Sequence, residues 1–96
     1  GVKKWIAHSV SFAKGIVSVN EKAAEALRGN KAVSLLPIGI TSISGDFEEG
    51  DIISIVDSNG NSIAVGRAGY GSDDARIFMG QHGKKPLVHY DYMYME

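Results

Sequence analysis

Three histidines, His8, His82 and His89, are the side chains best suited to proton transfer or metal binding. A zinc site needs at least three ligands converging from helix-face or hairpin spacing. These three are scattered along the chain, so no metal site is expected. His89 and Asp91 form a different kind of pair. On a strand, residues two apart share a face, so the imidazole and carboxylate would meet there or orient a common partner. A structural polar pair closing the fold is the plainer reading. No serine has a histidine and an acid placed beside it in sequence as a nucleophile triad would need. Asp73-Asp74 and Glu48-Glu49 look like acid/base pairs, yet the first suits a helix N-terminus and the second an exposed turn. No catalytic residue is assigned.

The run Gly66-Arg67-Ala68-Gly69-Tyr70-Gly71 invites a phosphate-loop reading. It lacks both the G-x-x-x-x-G-K-[ST] order and the dinucleotide fingerprint, so nucleotide binding is not expected of this loop. Its glycines relieve backbone strain at a barrel corner. Arg67 and Tyr70 could still add one cation and one stacking ring to a binding surface. Tyr90, Tyr92 and Tyr94 recur with period two near the end of the chain. Aromatic rings on one strand face can stack on bases. A tyrosine also suits an interdomain contact, because its ring is apolar and its hydroxyl stays hydrated. The interface reading is placed ahead of base stacking, with plain surface exposure as the third. The basic doublets Lys3-Lys4 and Lys84-Lys85 read as solvated faces.

The elements that must position these residues are legible in part. Lys3-Lys4 is a lead-in, with residues 1–4 as linker, and Trp5 to Phe12 reads as a first strand. Ile16-Val17-Ser18-Val19 continues extended, with Val17 and Val19 on one face. Asn20 offers an N-cap oxygen to a helix over Glu21 to Arg28, and Gly29 would end it in the left-handed conformation. Ala23, Ala24 and Leu27 form its narrow apolar stripe. Pro37 breaks any ladder after Ala32, and Ile40 to Ser44 alternates as a half-buried strand. Gly45 to Asp51 is a polar turn anchored by Phe47. Ile52–Asp57 and Ser62–Arg67 flank Ser58-Asn59-Gly60-Asn61, a strong hairpin signal because Asn and Gly both tolerate positive φ. Ser72 would cap a second helix running to about Met79, with Gly80 as its stop. Leu87 to Met95 reads as a last alternating strand. Short strands, two short helices and glycine-rich turns predict a mainly β fold, a small pseudo-barrel of mixed sheets.

Composition bounds the function. Ninety-six residues form one domain, able to bury about 60–65% of its unfolded surface. There is no cysteine, which removes disulfides and thiol chemistry and suits a reducing cytoplasm. No stretch approaches the ~20 apolar residues that span a bilayer, so no membrane partner is expected. Ten basic residues oppose eleven acidic ones, without the positive excess of a dedicated nucleic-acid binder. A start at Gly1 rather than Met reads as a fragment of a longer protein.

Several motifs stand in one order that resembles the PUA domain family, in the form carried at the C-terminus of glutamate 5-kinases. Gly15 to Leu27 is similar to that family's strand-into-helix segment. Ser34-Leu35-Leu36-Pro37-Ile38-Gly39-Ile40 resembles its serine-leucine-leucine-proline-x-glycine-isoleucine block. Gly45-Asp46-Phe47, Gly50-Asp51 and Gly60 fit the hairpin that follows. Tyr70-Gly71-Ser72 and Gly80-Gln81-His82 fit the second helix and its stop. Val88-His89-Tyr90-Asp91 stands where the family carries histidine-arginine-aspartate, with Tyr90 in place of the arginine and a shortened connection from His82 to Val88.

The resemblance implies a non-catalytic accessory domain. The kinase reaction, with its ATP and Mg²⁺, would belong to an amino-acid kinase domain of the same chain, through which the protein would also form oligomers. It implies as an alternative that structured RNA is bound across the first helix and following strand, by Lys22, Arg28, Lys31, Ser34 and Gly39. A docking or oligomerisation domain is the third reading.

Overall fold

Asn20 sets the first boundary of the fold. In the computed structural model, which describes residues 13–96, its side chain accepts from the Ala23 amide at 2.8 Å and starts α1, Glu21–Arg28. That bond satisfies one of the helix's orphan donors. Strand β1, Gly15–Val19, leads into the cap and buries alternate residues Val17 and Val19. The expected Trp5–Phe12 strand, the Lys3-Lys4 lead-in and His8 lie outside the described residues. After α1 the chain crosses to Leu35, makes a 3-10 turn at Pro37–Gly39 and enters β2, Ile40–Ser44. Strands β3, Ile52–Val56, and β4, Ser62–Arg67, form a hairpin. Helix α2, Ser72–Phe78, a second 3-10 turn at Tyr90–Tyr92 and the short β5, Met93–Met95, complete the chain.

The strands form one five-stranded mixed sheet in the order β2-β1-β3-β4-β5. β1 runs parallel to β3 and antiparallel to β2. The remaining neighbours are antiparallel. Val17, Val19, Ile53, Ile55 and Ile63 pack with Ala24 and Leu27 of α1, Ala75 of α2, and Leu35, Leu87 and Val88 from the connections. The mainly β architecture with two short helices is therefore as the sequence predicts.

Four local expectations are corrected. Gly29 is extended (φ −70°, ψ 179°), and α1 closes through its amide to the Ala26 carbonyl. In the β3–β4 loop only Gly60 has positive φ. The Asp57 carboxylate accepts from the amides of Asn59 and Asn61, both at 2.9 Å, and so replaces the second left-handed residue. Ser72 does not cap α2. Its hydroxyl accepts from the Phe47 amide and donates to the Phe47 carbonyl, leaving Gly71 as a cap without side-chain help.

Leu87 to Met95 is not one strand. Leu87 and Leu35 share a backbone bond, and Leu35 donates to Val88. The amides of Tyr90 and Asp91 are then taken by Ser34 Oγ and His89 Nδ1. A strand would have used those amides, so pairing with β4 begins only at Met93.

The 3-10 turn Pro37–Gly39 lies hard against α1. A Cβ placed on Gly39 would stand 2.5 Å from the Ala23 Cβ, with no flexible side chain to yield. Gly39→Ala should therefore cost about 1–3 kcal/mol, the range for overpacking a tight contact. Urea unfolding measures it, and an unchanged midpoint would contradict the contact.

Candidate functional site

An apolar recess lies where α1 faces the segment Val33–Gly39. It is a groove of about 320 Å³ whose wall includes Ala23, Leu27 and Leu35, with Lys22, Ser34 and His82 contributing polar groups. Asn20 closes one end, its amide donating to the Gly39 carbonyl at 2.9 Å. Gly39 sets the depth, because hydrogen is all that fits against Ala23. Leu36 and Ile38 are exposed beside the proline. The groove thus offers an apolar floor with an ammonium, a hydroxyl and an imidazole near it, which suits a flat apolar group bearing a polar or negative edge.

The expected site residues divide between surfaces. Lys22, Ser34 and Gly39 line the groove together. Arg28 does not join them. It points to the β3–β4 loop, where its Nη2 is 3.1 Å from Asp57 Oδ2. Lys31 is exposed in the connection after α1, away from the groove lining. Arg67 lies against the Tyr92 ring, 5.5 Å from its centroid, in a separate cleft.

Tyr70 cannot be a stacking ring for a base. It is 4% exposed, packs edge-on against Phe78 and donates its hydroxyl to the Lys85 carbonyl at 2.9 Å. Burial, with the Asp74 charge added, pushes its phenol up to about 12. Tyr90, Tyr92 and Tyr94 are 37–42% exposed, but they do not form one strand ladder, since the first two belong to the 3-10 turn. His89 and Asp91 meet across that turn at 3.7 Å. Lys84 and Lys85 stand over the rings of Phe78 and Tyr70.

The sequence reading missed His82, Leu36 and Ile38 as groove residues. The available signal was the pair of apolar residues flanking Pro37, which a buried strand would not leave exposed. Among the described residues no group of three or more His, Asp or Glu side chains converges as metal ligands would.

Residues 12–90 match the family model described as PUA domain. The chain belongs to the PUA domain family. It is 57% identical over 95 residues to a glutamate 5-kinase of Bacteroides thetaiotaomicron, a match that covers 99% of this chain and 26% of that protein. The chain therefore spans about a quarter of that relative's length. Among solved structures, a PUA domain from Aeropyrum pernix K1 superposes with a TM-score of 0.70 at 23% identity, over 93% of this chain and 47% of that one. A chain of the archaeal box H/ACA sRNP complex superposes with a TM-score of 0.63 at 18% identity, over 85% and 23%. These two likenesses establish the fold.

The Arg28–Asp57 pair fastens α1 of this PUA domain to the hairpin loop. The amide of Asn61 above all, then Arg28 and the Asn59 amide, hold the Asp57 carboxyl below its ordinary value of 3.8 against an opposing cost of burial. A carboxyl depressed in the folded state contributes stability above its unfolded value, lost as pH falls through the folded one. Asp57→Asn should therefore flatten the acid side of the stability profile below pH ~4. Urea midpoints measured between pH 2 and 7 check this, and an acid limb unchanged in the variant would contradict it.

Proposed function

We propose that this PUA domain is the non-catalytic accessory domain of a cytoplasmic glutamate 5-kinase. In that enzyme a separate amino-acid kinase domain would transfer the γ-phosphate of ATP, with Mg²⁺, to the side-chain carboxylate of glutamate. The observation that carries the reading is 57% identity extending over 99% of this chain within a protein named for that reaction. The structure is compatible with a supporting role. Arg28, Arg76 and Asp57 are engaged in intramolecular pairs, and the exposed Tyr90, Tyr92 and Tyr94 leave amphipathic surface for the kinase domain or another subunit. The domain would then influence assembly or regulation.

The test is glutamate-dependent ATP turnover. The 96-residue chain should show none above the enzyme-free rate, while the parent enzyme lacking this domain should retain kcat within about tenfold. Turnover by the isolated chain would refute the non-catalytic reading. In the parent enzyme Tyr92→Ala should shift oligomer size or melting temperature, and an unaltered sedimentation profile and melting curve would remove the docking role of that face.

The groove favours a second reading, recognition of structured RNA. Lys22 and Ser34 stand beside a recess whose floor is apolar, a combination that can hold an unstacked base while contacting its phosphate. Titration with structured RNA should show affinity falling steeply with salt as counterions are released. Lys22→Gln should lower the magnitude of that slope by about one. Absence of binding at low salt would end this reading for the RNAs tested.

A further inference from the structure

The chain has three arginines, and their surroundings differ. Arg28 holds Asp57 at 3.1 Å and Arg76 holds Asp46 at 3.2 Å. Arg67 has no carboxylate partner among the described residues, although it is held in place on two sides. Its guanidinium lies 5.5 Å from the centroid of the Tyr92 ring. On another side is the Gly50 backbone, where an added Cβ would be 3.7 Å from Nη2 and 3.8 Å from Nε. Arg67 is thus positioned without a direct ion pair among the described residues.

It faces a cleft of about 370 Å³, on a different surface from the groove, lined also by Glu49, Gly69, Lys85, His89 and Tyr92. The ammonium of Lys85 is held over the Tyr70 ring at 5.1 Å. The Tyr70 hydroxyl fixes the backbone of the same lysine, and Gly69 donates to the Leu87 carbonyl behind it. His89 Nδ1 accepts from the Asp91 amide. In the neutral imidazole the proton must therefore sit on Nε2, which leaves that nitrogen a donor. Arg67, Lys85 and His89 are all donors, and Glu49 is the one acid in the lining. The lining carries a net positive charge.

We propose that this cleft binds the phosphate group of a nucleotide, either free or within a strand. A planar guanidinium fork suits two oxygens of a tetrahedral phosphate, and Lys85 also contributes to the lining. The cleft also exceeds the size of a bare anion and falls in the range of small-molecule sites. The ring of His89, which lines the cleft, stacks at a tilt on that of Tyr90, with centroids 4.3 Å apart at 30°. Tyr90 is 41% exposed, and an exposed aromatic ring beside the cleft suits a base. No glycine-rich phosphate loop is involved, because the donors are side chains from β4 and from the segment after α2.

Isotope-resolved chemical shifts of the 96-residue chain test the assignment with three probes. Adenosine 5′-monophosphate represents a free nucleotide, and adenylyl-(3′→5′)-adenosine represents the strand linkage without a terminal phosphate. Adenosine is the uncharged control. Saturable shifts at Arg67, Ala68, His89 and Tyr92 are expected with at least one phosphate probe, and at least fivefold weaker binding with adenosine. Binding of the monophosphate alone identifies a free nucleotide, and binding of the dinucleoside identifies a strand. Arg67→Gln should weaken binding at least fivefold, and Glu49→Gln should tighten it. Lys85→Gln should repeat the loss should Arg67→Gln fail to fold. No saturable shift with either phosphate probe, equal binding of adenosine, a smaller loss in the folded arginine variant, or shifts centred on Lys22 and Ser34 would each overturn the proposal.

Discussion

Two backbone hydrogen bonds tie the wall of the α1 groove to the frame of the Arg67 cleft. The Leu35 amide donates to the Val88 carbonyl, and the Leu87 amide donates back to Leu35, each at 2.8 Å. This pairing joins the connection after α1 to the segment before β5, residues more than fifty apart in sequence. One side of the join forms the wall of the groove. On the other side Leu87 also receives the Gly69 amide at 2.7 Å, which frames the cleft around Arg67. Leu35, Leu87 and Val88 are buried almost completely, so the exchange occurs where water cannot compete for the bonds. Separating the two segments would expose apolar surface and leave backbone groups without partners at the same time.

What sequence reveals here depends on how far each interaction reaches. Asn20, Glu21 and Arg28 mark the bounds of α1, though not how Gly29 ends it, because a cap and a helix dipole act within a few residues. The β3–β4 hairpin is equally legible from Asn59-Gly60 between β-rich runs, even though Asp57 alters the turn. Ser72 shows the opposite case. As a helix cap it would satisfy a nearby amide, but Phe47, distant in sequence, offers both a donor and an acceptor in a buried position. The expected strand over Leu87 to Met95 fails for the same reason, since Ser34 competes for an amide far along the chain.

Of the residues expected to bind RNA, Lys22, Ser34 and Gly39 do line one groove, a proximity legible only because a family resemblance placed the helix and the following segment side by side. Arg28 was not separable from them by spacing. Its place at the C-terminal end of α1 suits the helix dipole wherever its side chain points, and only the hairpin loop shows that it turns to Asp57. Tyr70 illustrates the remaining ambiguity. A tyrosine between glycines has equal access to solvent and core in sequence, and the Lys85 carbonyl that receives its hydroxyl decides for the core.

The contact between Gly39 and Ala23 has an evolutionary consequence. Two positions sixteen apart in the chain touch through the smallest side chains available, so neither can drift in size alone. Glycine cannot shrink further to accommodate a larger neighbour, which confines position 23 to alanine or glycine while the helix keeps its place. Substitution across related PUA domains should therefore treat the two sites as one unit, with any bulkier pair accompanied by an outward shift of α1 and a wider groove.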